Sequence, residues 1–205
     1  MISANNPLIA LMDERSQAFG PSIQDVAAAL QIQVSRDFAP RWGRNAKVVT
    51  VRAGRGPIAG SWLLVILDYA GGGALGHHFV TREGLPQAVV GAVTSGERWP
   101  TIASHELLEM LANPWLDSCV YAPSLGQNIP CEVCDPCGRD AYHLNPSNPD
   151  SIRVSNFVYP SWFGSKKKGA PYDQMGRIHR SFEVSPNGGH IDPRGCLQVN
   201  RLEIS

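Results

Sequence analysis

The chain has 205 residues, 43% of them hydrophobic, with 18 Lys and Arg balanced by 18 Asp and Glu. That length suits one sizeable domain with a proper core, and a formal net charge of zero excludes the bulk positive charge of a nucleic-acid or anionic-membrane binder. The content of 20 Gly and 16 Pro predicts a loop-rich α+β fold, and the longest apolar run, Trp62 to Leu67, is strand-sized and too short to span a membrane.

Residues 1–20 show no sustained period and read as an irregular arm. The segment Met1-Ile-Ser-Ala-Asn-Asn-Pro7 lacks a basic region followed by an apolar stretch, so no secretory signal is visible and a cytoplasmic setting is favoured. From Ser22 the pattern changes. Ile23, Val26, Ala27, Leu30 and Val34 recur at helical spacing, with Ser22 as N-cap and Pro40 as the stop. Lys47 to Arg52 and Ser61 to Tyr69 read as strands joined through Gly54-Arg-Gly-Pro57, and Leu75 to Thr81 and Gln87 to Val93 as two more. His77 and His78 lie in the third strand, on opposite faces, and each reads as a surface or hydrogen-bonded histidine. Pro100 suits the first position of a second helix, which should stop near Asn113-Pro114.

That second helix carries Ser104-His105-Glu106-Leu107-Leu108-Glu109-Met110-Leu111. At about 100° per residue, His105 and Glu109 fall one turn apart on one face with Glu106 beside them, while Ser104, Leu107, Leu108 and Leu111 form an arc suited to a core. An imidazole and a carboxylate at this spacing can both reach a small cation, and a carboxylate at i+1 can take a proton from its water. The familiar zinc-peptidase signature has His in place of Glu109, but zinc also accepts carboxylate oxygen. Strands followed by such a helix give the layout of a zincin-like catalytic half, by analogy.

Past Pro114 the chain is loop-rich, with short β-like runs at Arg153 to Tyr159, Ser181 to Val184 and Leu197 to Ile204. Cys131, Cys134 and Cys137 are spaced at two-residue gaps with Cys119 upstream, a pattern that suits a structural zinc, part of an iron–sulfur set, a disulfide or packing thiols. Five cysteines, an odd number with four crowded together, fit a reducing compartment or a metal better than a regular disulfide framework. A catalytic zinc needs a third protein ligand. Asn113, Asp117, Glu132, Asp135, His143, His179 and His190 are all candidates by spacing.

The pair of blocks Ser104-His-Glu-Leu-x-Glu109 with Asn113-Pro114, then Glu132-x-x-Asp135-x-Cys137, resembles exordium-like (phosphate-induced) proteins and related bacterial proteins. The two blocks cover about a sixth of the chain, in the same order. The resemblance implies a metallopeptidase-like domain, with Glu132 as third ligand and Asp135 as a ligand or the partner that orients one. The chain departs from the family pattern at Asn113, where an Asp is expected, which puts a ligand role there in doubt.

The triple lysine 166–168 reads as a solvated loop tip, the segment Asn156 to Phe163 as core or cleft wall, Tyr159 and Tyr172 as candidate oxyanion donors, and His190 as a rim residue. The expectation is thus a single zincin-like domain over 1–205: an irregular arm at 1–20, helix, strands and motif helix over 22–113, and a loop-rich part over 114–205. The sheet should hold about four strands, mostly antiparallel or mixed. The expected activity is that of a zinc-dependent peptidase or amidase, with another divalent metal as a substitute for Zn2+. His105, Glu109 and Glu132 hold the ion and Glu106 is the general base; Asp135 and Asp117 are alternative ligands. The partner is a peptide or protein substrate, with no nucleic acid and no membrane. The rival reading is a non-catalytic module with a structural zinc on Cys119, Cys131, Cys134 and Cys137.

Overall fold

The computed structural model describes residues 6–52, 54–145, 148, 151–164, 171–189, 191 and 192. The strand expected at 197–204, the triple lysine and His190 lie outside the described residues.

The chain begins with a strand where the sequence reads as an arm. β1 (Leu8–Asp13) lies inside a five-stranded sheet of order β2-β1-β3-β5-β4, whose other members are β2 (Lys47–Val51), β3 (Trp62–Leu67), β4 (Gly76–Val80) and β5 (Pro86–Gly91). Both neighbours of β1 run parallel to it, with Leu11 opposite Thr50 and Leu64. Ile9, Ala10 and Leu11 are all fully buried. A strand covered on both faces shows no polar alternation, which is why no period marked this segment. The sheet is therefore mixed, as one of the two expected arrangements had it, but it has five strands and is mostly parallel. Only β4 runs antiparallel, along the edge beside β5, with His78 opposite Ala88.

α1 (Ile23–Ile32) starts as expected, with Ser22 Oγ accepting from Asp25 N at 3.1 Å. It does not stop at Pro40. The chain continues through a wide π-helical segment, Gln33–Phe38, into the short α2 (Ala39–Trp42), and ends at Gly43 in the left-handed region at φ 66°. Pro40 falls in the first turn of α2, where a missing N–H costs little.

After β5 come the short α3 (Ala92–Ser95) and the motif helix α4 (Trp99–Ala112), with Pro100 in its first turn and Asn113 at its C-cap. α4 packs on β5, β4 and the later strand Arg153–Ser155. Leu107, Leu108 and Leu111 are buried, as the arc requires, each worth about 1.5–3 kcal/mol of transfer free energy. Ser104 is also buried: its Oγ donates to Gln33 Oε1 and accepts from Ser155 N, each at 2.8 Å. Gln33 Nε2 donates to Ser155 O at 2.9 Å, so polar groups of three segments are satisfied at one point and pin α4 in place.

The rest of the chain wraps this sheet and helix. β6 (Cys119–Ala122) and β7 (Gln127–Pro130) form a hairpin, a 3-10 turn covers Asp135–Cys137, and β8 (Ala141–His143) pairs with β9 (Arg153–Ser155). Beyond β9 only a single bridge, Val158 with Asp173, continues the expected strand, and Ser181 to Val184 is not extended, Phe182 taking φ 59°. Among the described residues no helix is long and apolar enough to cross a membrane.

Candidate metal centre

α4 places His105, Glu106 and Glu109 toward a cleft of about 490 Å³ that is also lined by His78 of β4 and by Glu132 and Asp135 from the loop after β7. The rim carries Arg98, Arg139 and Arg153. All three residues of the helix motif and both acids of the second block therefore reach one cavity, 23 residues or more apart in sequence.

Glu109 is the hub. It is 4% exposed, and its Oε1 accepts from the backbone N–H groups of Cys134 and Asp135, each at 3.1 Å. His105 Nε2 sits 3.3 Å from the same oxygen and 3.4 Å from Asp135 Oδ1. On the other side lies His78, with Nδ1 3.7 Å from Glu106 Oε2 and 3.9 Å from Glu109 Oε2, and Nε2 3.5 Å from Glu132 Oε2. Two donor triads result, each with mutual distances within 4.8 Å: His105, Glu109 and Cys134, and His78, Glu109 and Glu132.

Asn113 has a definite task here. Its Nδ2 donates to Glu132 Oε1 at 3.1 Å and its Oδ1 accepts from Ser118 N at 3.0 Å. An ionised Asp could not donate to a carboxylate, so Asn113 orients Glu132 in a way the residue of the family pattern could not. Gly76 has another. A Cβ there would meet Glu106 Oε1 at 2.8 Å and Ile102 Cγ2 at 2.9 Å, so its bare backbone lets α4 close on β4.

The electrostatics follow from packing four carboxylates and two imidazoles into a cleft. Burial works against charge on His78, but Glu106, Glu132 and Glu109 outweigh it and push its pKa up to about 9. The same contest, against Glu109, Asp135 and Glu106, leaves His105 well above the usual range. Burial, and then the charge of Glu109, raises Glu132 to about 8. These shifts have one common cause, several carboxylates crowded around two imidazoles in a buried cleft. Among the described residues, two buried side-chain polar atoms have no hydrogen-bond partner: His78 Nε2 and Glu132 Oε2. They face each other. This donor set of carboxylate and imidazole fits a divalent ion.

The other candidates go elsewhere. Asp117 is exposed, accepts from Ser118 Oγ, and belongs to neither triad. His143 Nδ1 is 2.7 Å from Ser151 O and His179 is exposed, whereas His77, also exposed, borders the cleft from β4 but belongs to neither triad. Tyr159 donates to Gln174 Oε1 and Tyr172 packs on the core, away from the cleft lining. Cys119 is disulfide-bonded, which removes it as a thiolate ligand; the disulfide alternative holds for this cysteine, but not with one of the other three as partner. Cys131, Cys134 and Cys137 are free, and no triad among the described residues joins two of them. Burial pushes the Cys131 thiol up to about 11 and the Cys134 thiol well above the usual range.

His78 is the residue that the sequence reading left out. Its signal was the alternation itself: of two adjacent histidines on an edge strand, one must share a face with the helix packed on that strand. Comparison of the chain with protein-family models, with curated proteins and with solved structures found no match.

Proposed function

We propose that this protein is a metal-dependent hydrolase of the zincin-like type, cleaving peptide or amide bonds, with Zn2+ or another divalent ion in the cleft under α4. The observation that carries the reading is the facing pair of buried atoms that make no hydrogen bond, His78 Nε2 and Glu132 Oε2, 3.5 Å apart in a cleft that also gathers Glu109, His105 and Glu106. Support for the fold assignment comes from the parallel sheet with one antiparallel edge strand beside the motif helix. The resemblance of the two sequence blocks to exordium-like proteins agrees with it.

Glu109 and Glu132 with an imidazole hold the ion, the helix motif nominating His105 for that imidazole. A bound divalent ion supplies a water of lowered pKa and an electrophile for the carbonyl oxygen. Glu106, 6% exposed and one residue from His105, takes a proton from water as its oxygen bonds the carbonyl carbon. It returns that proton to the nitrogen as the C–N bond breaks. Asp135 steadies His105 from the second block. The water becomes the new carboxyl oxygen and the amine leaves protonated, so atoms balance without a further reactant.

The test is Glu106→Gln against the wild type on a peptide library, with zinc content measured on both. Retained zinc with cleavage reduced by 100-fold or more, on the order of a lost general base, is the expected outcome. Equal cleavage by both proteins would remove Glu106 from the chemistry, and absence of cleavage and of zinc in the wild type would defeat the reading.

A further inference from the structure

The motif on α4 offers His105 as the nitrogen ligand, yet the arrangement of open electron pairs in the cleft points away from it. Both α4-side donors near His105 are already engaged. Glu109 Oε1 accepts two backbone N–H groups, from Cys134 and Asp135, and a carboxylate oxygen has about two lone-pair sites. His105 Nε2 itself lies between Glu109 Oε1 and Asp135 Oδ1 at 3.3 and 3.4 Å. Cys134, the third member of that triad, is a fully buried thiol packed in the core.

The β4 side is the opposite. The His78 side chain is 6% exposed although its backbone lies on the sheet edge, and its Nε2 makes no hydrogen bond, with Glu132 Oε2 at ion-pair distance. Glu132 Oε2 is in the same condition 3.5 Å away, while Asn113 occupies the other oxygen of that carboxylate. On the other side of the ring His78 Nδ1 has Glu106 Oε2 at 3.7 Å, while Glu109 joins His78 and Glu132 in one donor triad. A carboxylate on the far ring nitrogen is the usual companion of a metal-bound histidine, because it fixes the tautomer that presents the free lone pair to the ion.

We infer that His78, contributed by edge strand β4, is the imidazole that binds the ion, together with Glu109 and Glu132. This rests on the reading of the cleft as a metal centre and decides which nitrogen serves it. His105 then stands beside the ion rather than on it, at 17% side-chain exposure, facing the cavity with Asp135 behind it. The ligands come from three separate pieces of chain, the edge strand, the helix and the loop after β7, so the site forms only when β4 and that loop close on α4.

The experiment is a zinc titration of the chelator-stripped full chain against a chromophoric competitor, for wild type, His78→Ala, His78→Gln and His105→Ala. Circular dichroism and thermal unfolding of each stripped protein check folding. His78→Gln keeps side-chain volume and a polar tip, so it serves if His78→Ala does not fold. The inference expects both His78 variants to lose zinc affinity by more than the 10- to 100-fold typical of an outer-shell partner, and His105→Ala to lose less than 10-fold. Wild-type affinity in folded His78→Gln overturns it, and if His105→Ala loses zinc at the same time the imidazole is His105 and the hydrolase reading stands. A wild type that binds no zinc overturns the metal centre itself.

Discussion

His78 Nε2 and Glu132 Oε2 approach to 3.5 Å, both buried and neither hydrogen-bonded. A buried polar group without a hydrogen bond costs about 1–3 kcal/mol, which their mutual charge attraction at 3.5 Å offsets in part. A bound ion should recover the remainder. At a free zinc concentration of about 100 Kd, linkage adds about 2.7 kcal/mol, which for a chain of this size raises Tm by roughly 5–10 °C. Differential scanning fluorimetry with zinc, then with excess chelator, should show the rise and its reversal; a Tm indifferent to both would argue against an ion in this cleft.

Asn113 controls Glu132 by donating to Oε1. In Asn113→Ala that oxygen loses its donor, and Ser118 N loses its acceptor. Zinc affinity should fall about 10- to 100-fold, with a stability loss of about 1–3 kcal/mol in the stripped protein, read by titration and by urea unfolding. Unchanged affinity would mean that Glu132 is not a ligand.

Gly76 sits closest to Glu106 and Ile102 of α4. In Gly76→Ala the new methyl meets Glu106 Oε1 at 2.8 Å and Cγ at 2.9 Å, so Glu106 must turn aside, at a cost of about 1–3 kcal/mol for the overpacking. Peptide cleavage should drop at least 10-fold, on the order of a misplaced base, while zinc content stays at the wild-type level. Loss of zinc in step with activity would show that the whole cleft, not Glu106, had moved.

Asp13 at the end of β1 forms a two-point pair with Arg15, Oδ1 to Nε and Oδ2 to Nη2, each at 2.7 Å, and the Arg15 side chain is 1% exposed. The Arg15 hydrogen bonds hold the Asp13 carboxyl below its ordinary value, partial burial opposing them. A depressed folded-state pKa makes the unfolded chain the better proton binder. The pair's contribution is therefore complete above the unfolded value of about 3.9 and fades as pH falls from there through the lower folded value. Asp13→Asn should cost about 1–3 kcal/mol at pH 7, with the gap to wild type closing toward pH 2 in urea unfolding; a gap constant with pH would exclude the charge as its source.

The sequence by itself determined the parts with local causes. Ser22 capped α1 because its hydroxyl meets an orphan N–H within one turn, and Pro100 and Asn113 bounded α4 for equally local reasons. The spacing of His105, Glu106 and Glu109 brought all three to the same cleft, since helix geometry fixes which residues share a face. Tertiary structure decided the rest. β1 escaped notice because a strand buried between two parallel neighbours carries no alternation to read. Pro40 failed to stop its helix because a π-helical segment placed it in a new first turn, between the stacked rings of Phe38 and Trp42 in the chain. Cys131, Cys134 and Cys137 had metal-like spacing, but spacing does not say where each sulfur points, and they turned into the core as separate thiols. Which histidine of the adjacent pair His77 and His78 faces α4 was open in the sequence for the same reason. Pairing of β4 with β5 settled it, because register at a sheet edge assigns every side chain to one face or the other.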